Sequence, residues 1–154
     1  MHDLLILAHI VAGTVGLAAG PVAGLARKQQ GLHTVAGWTY QVSCAVLCTS
    51  ALALVAMQPA LWGFAVIAVL TEAAAVGAVV VRRRRRPGWQ PQHVRLVLSS
   101  YVSFVTGLVV QTAGGLWWVV PVVIGSTVVS VGTGRVTAAT SARPEQHREA
   151  ELVP

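Results

Sequence analysis

The stretch LWGFAVIAVLTEAAAVGAVVVRRRRR, from Leu61 to Arg86, joins a long apolar run to five consecutive arginines. An apolar run of about twenty residues, when helical, spans the hydrocarbon core of a bilayer, which is roughly 30 Å thick. Arginine clusters beside such a run favour the cytoplasmic side of the membrane. The stretch therefore predicts a transmembrane helix that ends at the cytoplasmic face.

Four more apolar runs of similar length fill most of the remaining chain, at residues 4–25, 37–57, 94–113 and 116–134, beside the one at 61–81. Hydrophobic residues make up 55% of the chain, charged residues only 10%, and the mean hydropathy is +0.67. A water-soluble domain needs a far more polar surface. The sequence therefore predicts an all-α, polytopic membrane protein with a bundle of five transmembrane helices in residues 1–136.

The basic residues occupy alternate connections between these runs. The connections around residues 58–60 and 114–115 contain no lysine or arginine, whereas the others contain Arg27, Lys28, Arg82–Arg86, Arg95, Arg135, Arg143 and Arg148. By the positive-inside rule, the N-terminus lies outside and the C-terminus in the cytoplasm. We expect a multi-pass protein of the inner (plasma) membrane.

The net charge of +6 raises the question of a nucleic-acid partner. The basic residues stand beside the spans, where they meet anionic lipid headgroups, and the aromatic residues are not interleaved with them. We therefore expect the lipid bilayer as the partner and no nucleic acid. Residues 137–154 are polar and interrupted by proline, which predicts a flexible cytoplasmic tail.

One stripe of the first run combines a histidine with four glycines, at His9, Gly13, Gly16, Gly20 and Gly24. Steps of three and four residues place these positions on one helix face, and glycine lets another helix approach closely. This face is therefore expected to meet protein rather than lipid, either within a homo-oligomer or larger membrane complex or within the chain. His9 itself is either a structural hydrogen-bond donor or a ligand or proton carrier.

Glu72 is the only carboxylate inside an apolar run. A carboxylate at bilayer depth is costly unless it is neutral, hydrogen-bonded or beside water. Partners on other runs include His9, Gln41, Ser100, Ser103 and Gln111. Glu72 and His9 are thus the candidate catalytic or proton-carrying residues, with a purely structural hydrogen bond as the alternative.

His33 and His93 open the second and fourth helices near the predicted cytoplasmic boundary. Two imidazoles at matching depth can ligate one haem iron, bind a metal, or hold a quinone headgroup. They can equally cap helices and touch lipid phosphate. The fourth run is the most polar, and its Tyr101 and Gln111 are further candidates for cofactor binding.

The two cysteines, Cys44 and Cys48, lie one helical turn apart on the face that carries His33. Two thiols alone make an incomplete metal site, and this spacing suits a disulfide poorly. We interpret them as small buried apolar residues.

The pattern His9-x3-Gly13, Gly20-Pro21, a basic loop, His33-x3-Gly37 with Tyr40, and a later helix that opens at His93 resembles a family of small bacterial membrane proteins described only as a domain of unknown function. The resemblance covers roughly residues 4–111. The arrangement is also loosely similar to transmembrane b-type cytochromes and to assembly factors of haem-copper oxidases. It departs from the two-haem pattern because His9 has no second histidine at its level, so the resemblance implies at most one haem b, at His33 and His93.

No hydrolase, kinase or nucleotide-binding motif is present in the sequence. The leading hypothesis is a membrane protein with a histidine-lined intramembrane site that binds haem or quinone or assists respiratory oxidase assembly. The alternatives are a small transporter or channel that uses Glu72, an accessory subunit that docks through its glycine stripes, and a membrane-bound enzyme that acts on a lipophilic substrate.

Overall fold

The structure, a computed structural model, describes residues 2–26 and 31–151, without the side chains of residues 115 and 143–151. The predicted basic residues Arg27 and Lys28, and the side chains of Arg143 and Arg148, lie outside the described part. The long helices of the described part are α1 (His2–Leu25), α2 (Leu32–Met57), α3 (Trp62–Arg84), α4 (Trp89–Ala113) and α5 (Val119–Glu151). Single 3₁₀ turns at Pro59–Leu61 and Gly115–Trp118 precede α3 and α5.

Each long helix contains a segment apolar and long enough to cross a membrane, which gives five such segments in the described part of the chain. Large apolar side chains cover the outside of the bundle: Leu7 and Leu70 are each 58% exposed, and Ile124 is 60% exposed. Such a surface is solvated by lipid tails rather than by water. The prediction of an all-α protein is confirmed for the described residues, with five helices long and apolar enough to span a membrane.

Two helices begin ahead of their apolar runs. Helix α2 starts at Leu32, before the run that begins at residue 37, and α4 starts at Trp89, before the run that begins at residue 94. A helix can continue through the interfacial region because polar side chains there reach water and headgroups. His33 and His93 therefore lie in the first turns of α2 and α4.

The connection between α3 and α4 is only four residues long, at 85–88. Arg85 ends α3 in the left-handed conformation, with φ of 45°, and Gly88 has φ of 76° before α4 begins. A connection this short makes α3 and α4 antiparallel neighbours. We call the end where α1 and α3 finish and α2 and α4 begin the basic end of the bundle.

Along the chain each helix packs against the next one, from α1 to α5. Helix α1 also closes against α4, since Gly16 lies against Phe104 and Gly20 lies against Tyr101. Helices α1 to α4 therefore form a four-helix bundle in which α2 and α4 are diagonal. Among the described residues, the extensive helix contacts of α5 are with α4 alone, so α5 stands outside the four-helix bundle.

The glycine stripe of α1 faces protein, as predicted, over most of its length. A Cβ added at Gly16 would lie 2.9 Å from the Phe104 ring and 3.1 Å from Ser43, and one added at Gly13 would lie 3.1 Å from Leu47. At Gly24, by contrast, a Cβ would meet nothing within 4 Å. Gly16 and Gly20 are thus used inside this chain rather than left for a partner subunit.

The centre of the bundle contains Ala19, Tyr40, Cys44, Ala75 and Phe104. Small side chains dominate because helices in lipid gain stability from close backbone approach, not from a hydrophobic drive between them. Cys44 and Cys48 are 0% and 2% exposed and are free thiols. Their interpretation as buried small residues holds, although Cys48 also has a polar neighbour, described below.

Helix α5 continues beyond its predicted end at residue 134. Its backbone is helical to Glu151, and the part that is long and apolar enough to cross a membrane lies within Leu116–Ala142. The helix has room to leave the membrane because polar residues can be solvated beyond the headgroups. Flexibility of residues 137–154 in solution stays a prediction, and residues 152–154 lie outside the described part.

Candidate functional site

His33 and His93 make matching hydrogen bonds at the basic end. The His33 ring donates from Nδ1 to the Ala23 carbonyl oxygen at 2.8 Å, and the His93 ring donates from Nδ1 to the Ala78 carbonyl oxygen at 2.9 Å. A carbonyl oxygen can only accept, so Nδ1 carries the proton in both rings. In its neutral form each imidazole then has its lone pair on Nε2, the atom that binds iron in most histidine-ligated sites.

The two histidines also occupy equivalent positions on diagonal helices. Tyr40 follows His33 by seven residues and Ser100 follows His93 by seven, and the Tyr40 and Ser100 hydroxyl oxygens lie 3.0 Å apart. Seven residues are nearly two full turns, so each histidine shares a face with its hydroxyl partner, about 10 Å nearer the basic end. The helix faces that carry His33 and His93 therefore point toward the same interior region.

Small side chains surround this region. Ala36 is 6% exposed, Ala78 is 2% exposed and Ala23 is 9% exposed. Ser100 is fully buried, and its hydroxyl donates to the Val97 carbonyl oxygen at 2.8 Å. The Tyr40–Ser100 pair forms a polar floor beneath the two histidines.

A second polar cluster continues along α2, away from the basic end. The Cys44 thiol lies near the Tyr40 hydroxyl, and one turn further the Cys48 thiol lies near the Glu72 carboxyl group. Glu72 Oε2 is buried and has no hydrogen-bond partner among the described residues. A buried oxygen with an unused lone pair costs stability, so it marks a position where a donor group or a water is required.

His9 and Glu72, the candidate catalytic or proton-carrying residues, do not lie in one hydrogen-bonded site. No hydrogen bond or ion pair links them in the described part of the chain, and the neighbour of Glu72 is Cys48, which was not among the predicted partners. His9 Nδ1 lies 3.0 Å from the Ser50 hydroxyl oxygen, and that hydroxyl donates its proton to the Leu47 carbonyl. His9 therefore donates to Ser50 and joins α1 to α2, which is a structural role.

Tyr101 and Gln111, the other candidates for cofactor binding, lie in different places. The Tyr101 hydroxyl donates to the Leu17 carbonyl oxygen at 3.1 Å, and its ring centroid lies 6.1 Å from that of Tyr40. Tyr101 thus adjoins the polar floor. Gln111 is exposed near the far end of α4, about 27 Å along the helix from His93, so the structure does not bring it to the histidines.

Two features of the site escaped the sequence analysis: the Tyr40–Ser100 pair and the contact between Cys48 and Glu72. The repeated spacing of seven, from His33 to Tyr40 and from His93 to Ser100, was the available signal for the first. No sequence signal indicated that Cys48 and Glu72 are neighbours, because one thiol and one carboxylate on different runs do not show how two helices are aligned.

The donor set limits what this site can hold. No group of three or more His, Cys, Asp or Glu side chains in the described part is arranged to bind a metal ion. Two imidazoles leave a bare transition-metal ion short of ligands. They suffice for haem, whose macrocycle supplies four nitrogens of its own.

Comparison with known protein families, with curated proteins and with solved structures finds no match to this chain. The class of this protein is therefore assigned from its fold alone. It is an all-helical protein whose five long helices, within the described residues, are apolar enough to span a membrane.

Proposed function

We propose that the α1–α4 bundle is a membrane redox unit that binds one haem b at its basic end through His33 and His93. The observation that carries the proposal is the pair of matching Nδ1–H bonds to Ala23 and Ala78, on helix faces that converge at Tyr40 and Ser100. A backbone carbonyl on Nδ1 is the usual partner that orients a ligating histidine and raises its basicity.

The residues around this position suit such a group. Alanines 23, 36 and 78 leave backbone close to the interior, and the arginines of residues 82–86 provide positive charge at the same end for the carboxylates of a porphyrin. When bound, haem supplies reversible one-electron chemistry. The chain itself holds the ligands, excludes water with its apolar surface and closes the site below with Tyr40 and Ser100.

The polar contacts that continue from Tyr40 through Cys44 support a proton-linked role. Cys48 and Glu72 extend this row of exchangeable groups toward the middle of the membrane, where Glu72 Oε2 has no hydrogen-bond partner among the described residues. Proton relays in membrane proteins use such intramembrane carboxylates. In this proposal Glu72 takes up or releases a proton while the site at the basic end changes oxidation state.

The proposal includes an orientation. The arginine-rich end faces the cytoplasm of a bacterial inner membrane, which puts the N-terminus outside, because Arg82–Arg86 and Arg135 all lie toward that end. The redox site then lies near the cytoplasmic surface, within reach of a soluble or membrane-bound electron partner.

Titration of the detergent-purified protein with haem, followed by Soret absorbance, tests the proposal. We expect saturation at about one haem per chain, a Soret band that shifts on reduction, and loss of tight binding in both His33→Ala and His93→Ala. His9→Ala is the matched control, since this histidine bonds to Ser50 toward the other end of the bundle. Absence of any saturable binding to the wild-type protein, or equal binding by all three variants, contradicts the proposal.

A further inference from the structure

A lateral groove of about 980 Å³ lies between α3, α4 and α5, outside the histidine site. Its floor is the polar face of α4, with Arg95, Ser99 and Ser103, and one wall is α5, with Ser126, Ser130 and Thr133. The opposite wall on α3 is apolar. Because α5 packs on α4 and not on α3 in the described part, the groove opens sideways toward the bilayer.

The hydroxyl groups of α4 and α5 face each other in pairs, and the two members of each pair lie at the same height along the helices. The Thr140 hydroxyl lies 3.2 Å from the Gln90 side-chain oxygen, and Gly132 packs on Leu98, which fixes how the two antiparallel helices align. In this alignment Ser99 lies level with Ser130, and Ser103 lies level with Ser126. Arg95 stands one turn closer to the basic end, about 6 Å along α4 from Ser99.

Some polar groups of this groove have no partner in the described part of the chain. Thr133 Oγ1 is buried and has no hydrogen-bond partner among the described residues. No carboxylate pairs with Arg95 among the side chains that the structure describes. Arg95 is exposed in the groove toward the basic end, so its guanidinium group is open to an anionic partner, and the buried Thr133 hydroxyl is costly without one. Together they indicate an occupant rich in acceptor oxygens.

We propose that this groove binds one anionic glycerophospholipid, with its phosphate on Arg95. A phosphate oxygen accepts charge-assisted hydrogen bonds from a guanidinium group. The glycerol and ester oxygens follow the phosphate within several ångströms, which brings them to the Ser99 and Ser130 level. The acyl chains continue along Ile67, Leu70 and Val122, the apolar part of the lining.

Other occupants fit the lining less well. A hydrocarbon tail alone, or the apolar helix of a second copy, would leave Arg95 and Thr133 unpaired. A zwitterionic lipid has no net negative charge to complement Arg95, the arginine of the lining. An anionic headgroup complements both Arg95 and the net positive charge of the chain.

Native mass spectrometry of the delipidated full-length protein, titrated with phosphatidylglycerol or phosphatidylcholine, tests this proposal. We expect one tightly bound phosphatidylglycerol and at least about tenfold weaker binding of phosphatidylcholine. Arg95→Gln should weaken phosphatidylglycerol binding by about tenfold or more, because a charge-assisted hydrogen bond is lost. Arg86→Gln, in the exposed connection after α3, is the matched control and should bind as the wild type does.

A Ser99→Ala/Ser130→Ala variant keeps the charge and removes one hydroxyl level, so it tests the site even where Arg95→Gln does not fold. It should weaken phosphatidylglycerol binding severalfold. Equal affinity for the two lipids, or equal loss in Arg86→Gln and Arg95→Gln, overturns the proposal. Saturable binding of inorganic phosphate alone, with the same dependence on Arg95, overturns the assignment to a lipid.

Discussion

The hydroxyl oxygens of Tyr40 and Ser100 meet 3.0 Å apart in a region where Ser100 is fully buried. Replacing Ser100 with alanine leaves the Tyr40 hydroxyl without this partner in an apolar surrounding. We expect Ser100→Ala to lower the free energy of unfolding by about 1–2 kcal/mol, measured by denaturation in mixed micelles. Ser99→Ala, one residue away in the open groove, should change it by less than about 0.5 kcal/mol. Equal effects would contradict the assigned packing.

A substitution at Glu72 should affect the stability of the protein and its proposed proton uptake differently. The Glu72 Oε2 atom is buried without a hydrogen-bond partner in the part of the chain that the structure describes, so Glu72→Met removes an unsatisfied oxygen and keeps a similar volume. We expect thermal stability in detergent to stay unchanged or rise, while proton uptake coupled to reduction of the site is lost. A clear fall in melting temperature would show that Glu72 has a structural role instead.

The two thiols give a direct measure of packing at the residue scale. Cys44 and Cys48 are 0% and 2% exposed. A membrane-permeant maleimide should therefore label the folded protein far more slowly than the denatured protein, with two sites labelled per chain after denaturation. Rapid labelling of the folded protein would contradict the position of α2 in the bundle.

At the scale of elements, α1 and α4 meet at Gly20 through the Tyr101 ring. A side chain added there would overlap the Tyr101 ring, whereas one added at Gly24, on the same stripe, meets nothing within 4 Å. We expect Gly20→Val to destabilise the protein by about 1–3 kcal/mol and Gly24→Val to have little effect, as measured by thermal unfolding. Similar behaviour of the two variants would indicate that α1 does not pack against α4.

The end of α3 offers a prediction of opposite sign. Arg85 adopts φ of 45°, a conformation that costs a side chain about 1 kcal/mol and glycine almost nothing. Arg85→Gly should therefore raise the free energy of unfolding by roughly 0.5–1 kcal/mol. Arg82→Gly, in the last turn of the helix and two residues before its end, should lower it by a similar amount. A loss of stability in Arg85→Gly would contradict the left-handed helix end.

The sequence predicts some properties of these helices better than others, because each sequence pattern reports a different physical property. Hydropathy identified five spans because the length of an apolar run reports the bilayer thickness directly. The apolar run of the second span begins at residue 37, whereas α2 itself begins at Leu32, because interfacial residues are polar although helical. The stripe of Gly16 and Gly20 indicated a close helix neighbour, but the identity of α4 as that neighbour depends on the arrangement of the whole bundle.

The candidate site was predictable only in part for the same reason. Equivalent positions at helix starts made His33 and His93 recognisable as a pair. The distance between their helices, and the carbonyl groups that orient them, depend on tertiary packing. Glu72 was recognised as exceptional because a carboxylate is energetically costly in lipid. That Cys48 is its neighbour depends on the rotation of α2 against α3.

At the scale of the whole molecule, the proposed orientation predicts which connections face each side of the membrane. The native thiols are buried, so a single introduced cysteine provides the reactive site. In intact cells, Gln58→Cys should react with a membrane-impermeant maleimide, and Arg86→Cys should react only after permeabilisation. The reverse pattern would invert the topology and move the histidine pair to the outer surface.

Electron paramagnetic resonance of the oxidised, haem-loaded protein tests the central claim most directly, because the spectrum of ferric haem reports its axial ligands. Two imidazole ligands predict a low-spin signal in the wild type and in His9→Ala, and conversion to a high-spin signal or loss of haem in both His33→Ala and His93→Ala. A low-spin signal that survives in either of the last two variants, or a wild-type protein that takes up no haem, would contradict the assignment of His33 and His93 as the ligands.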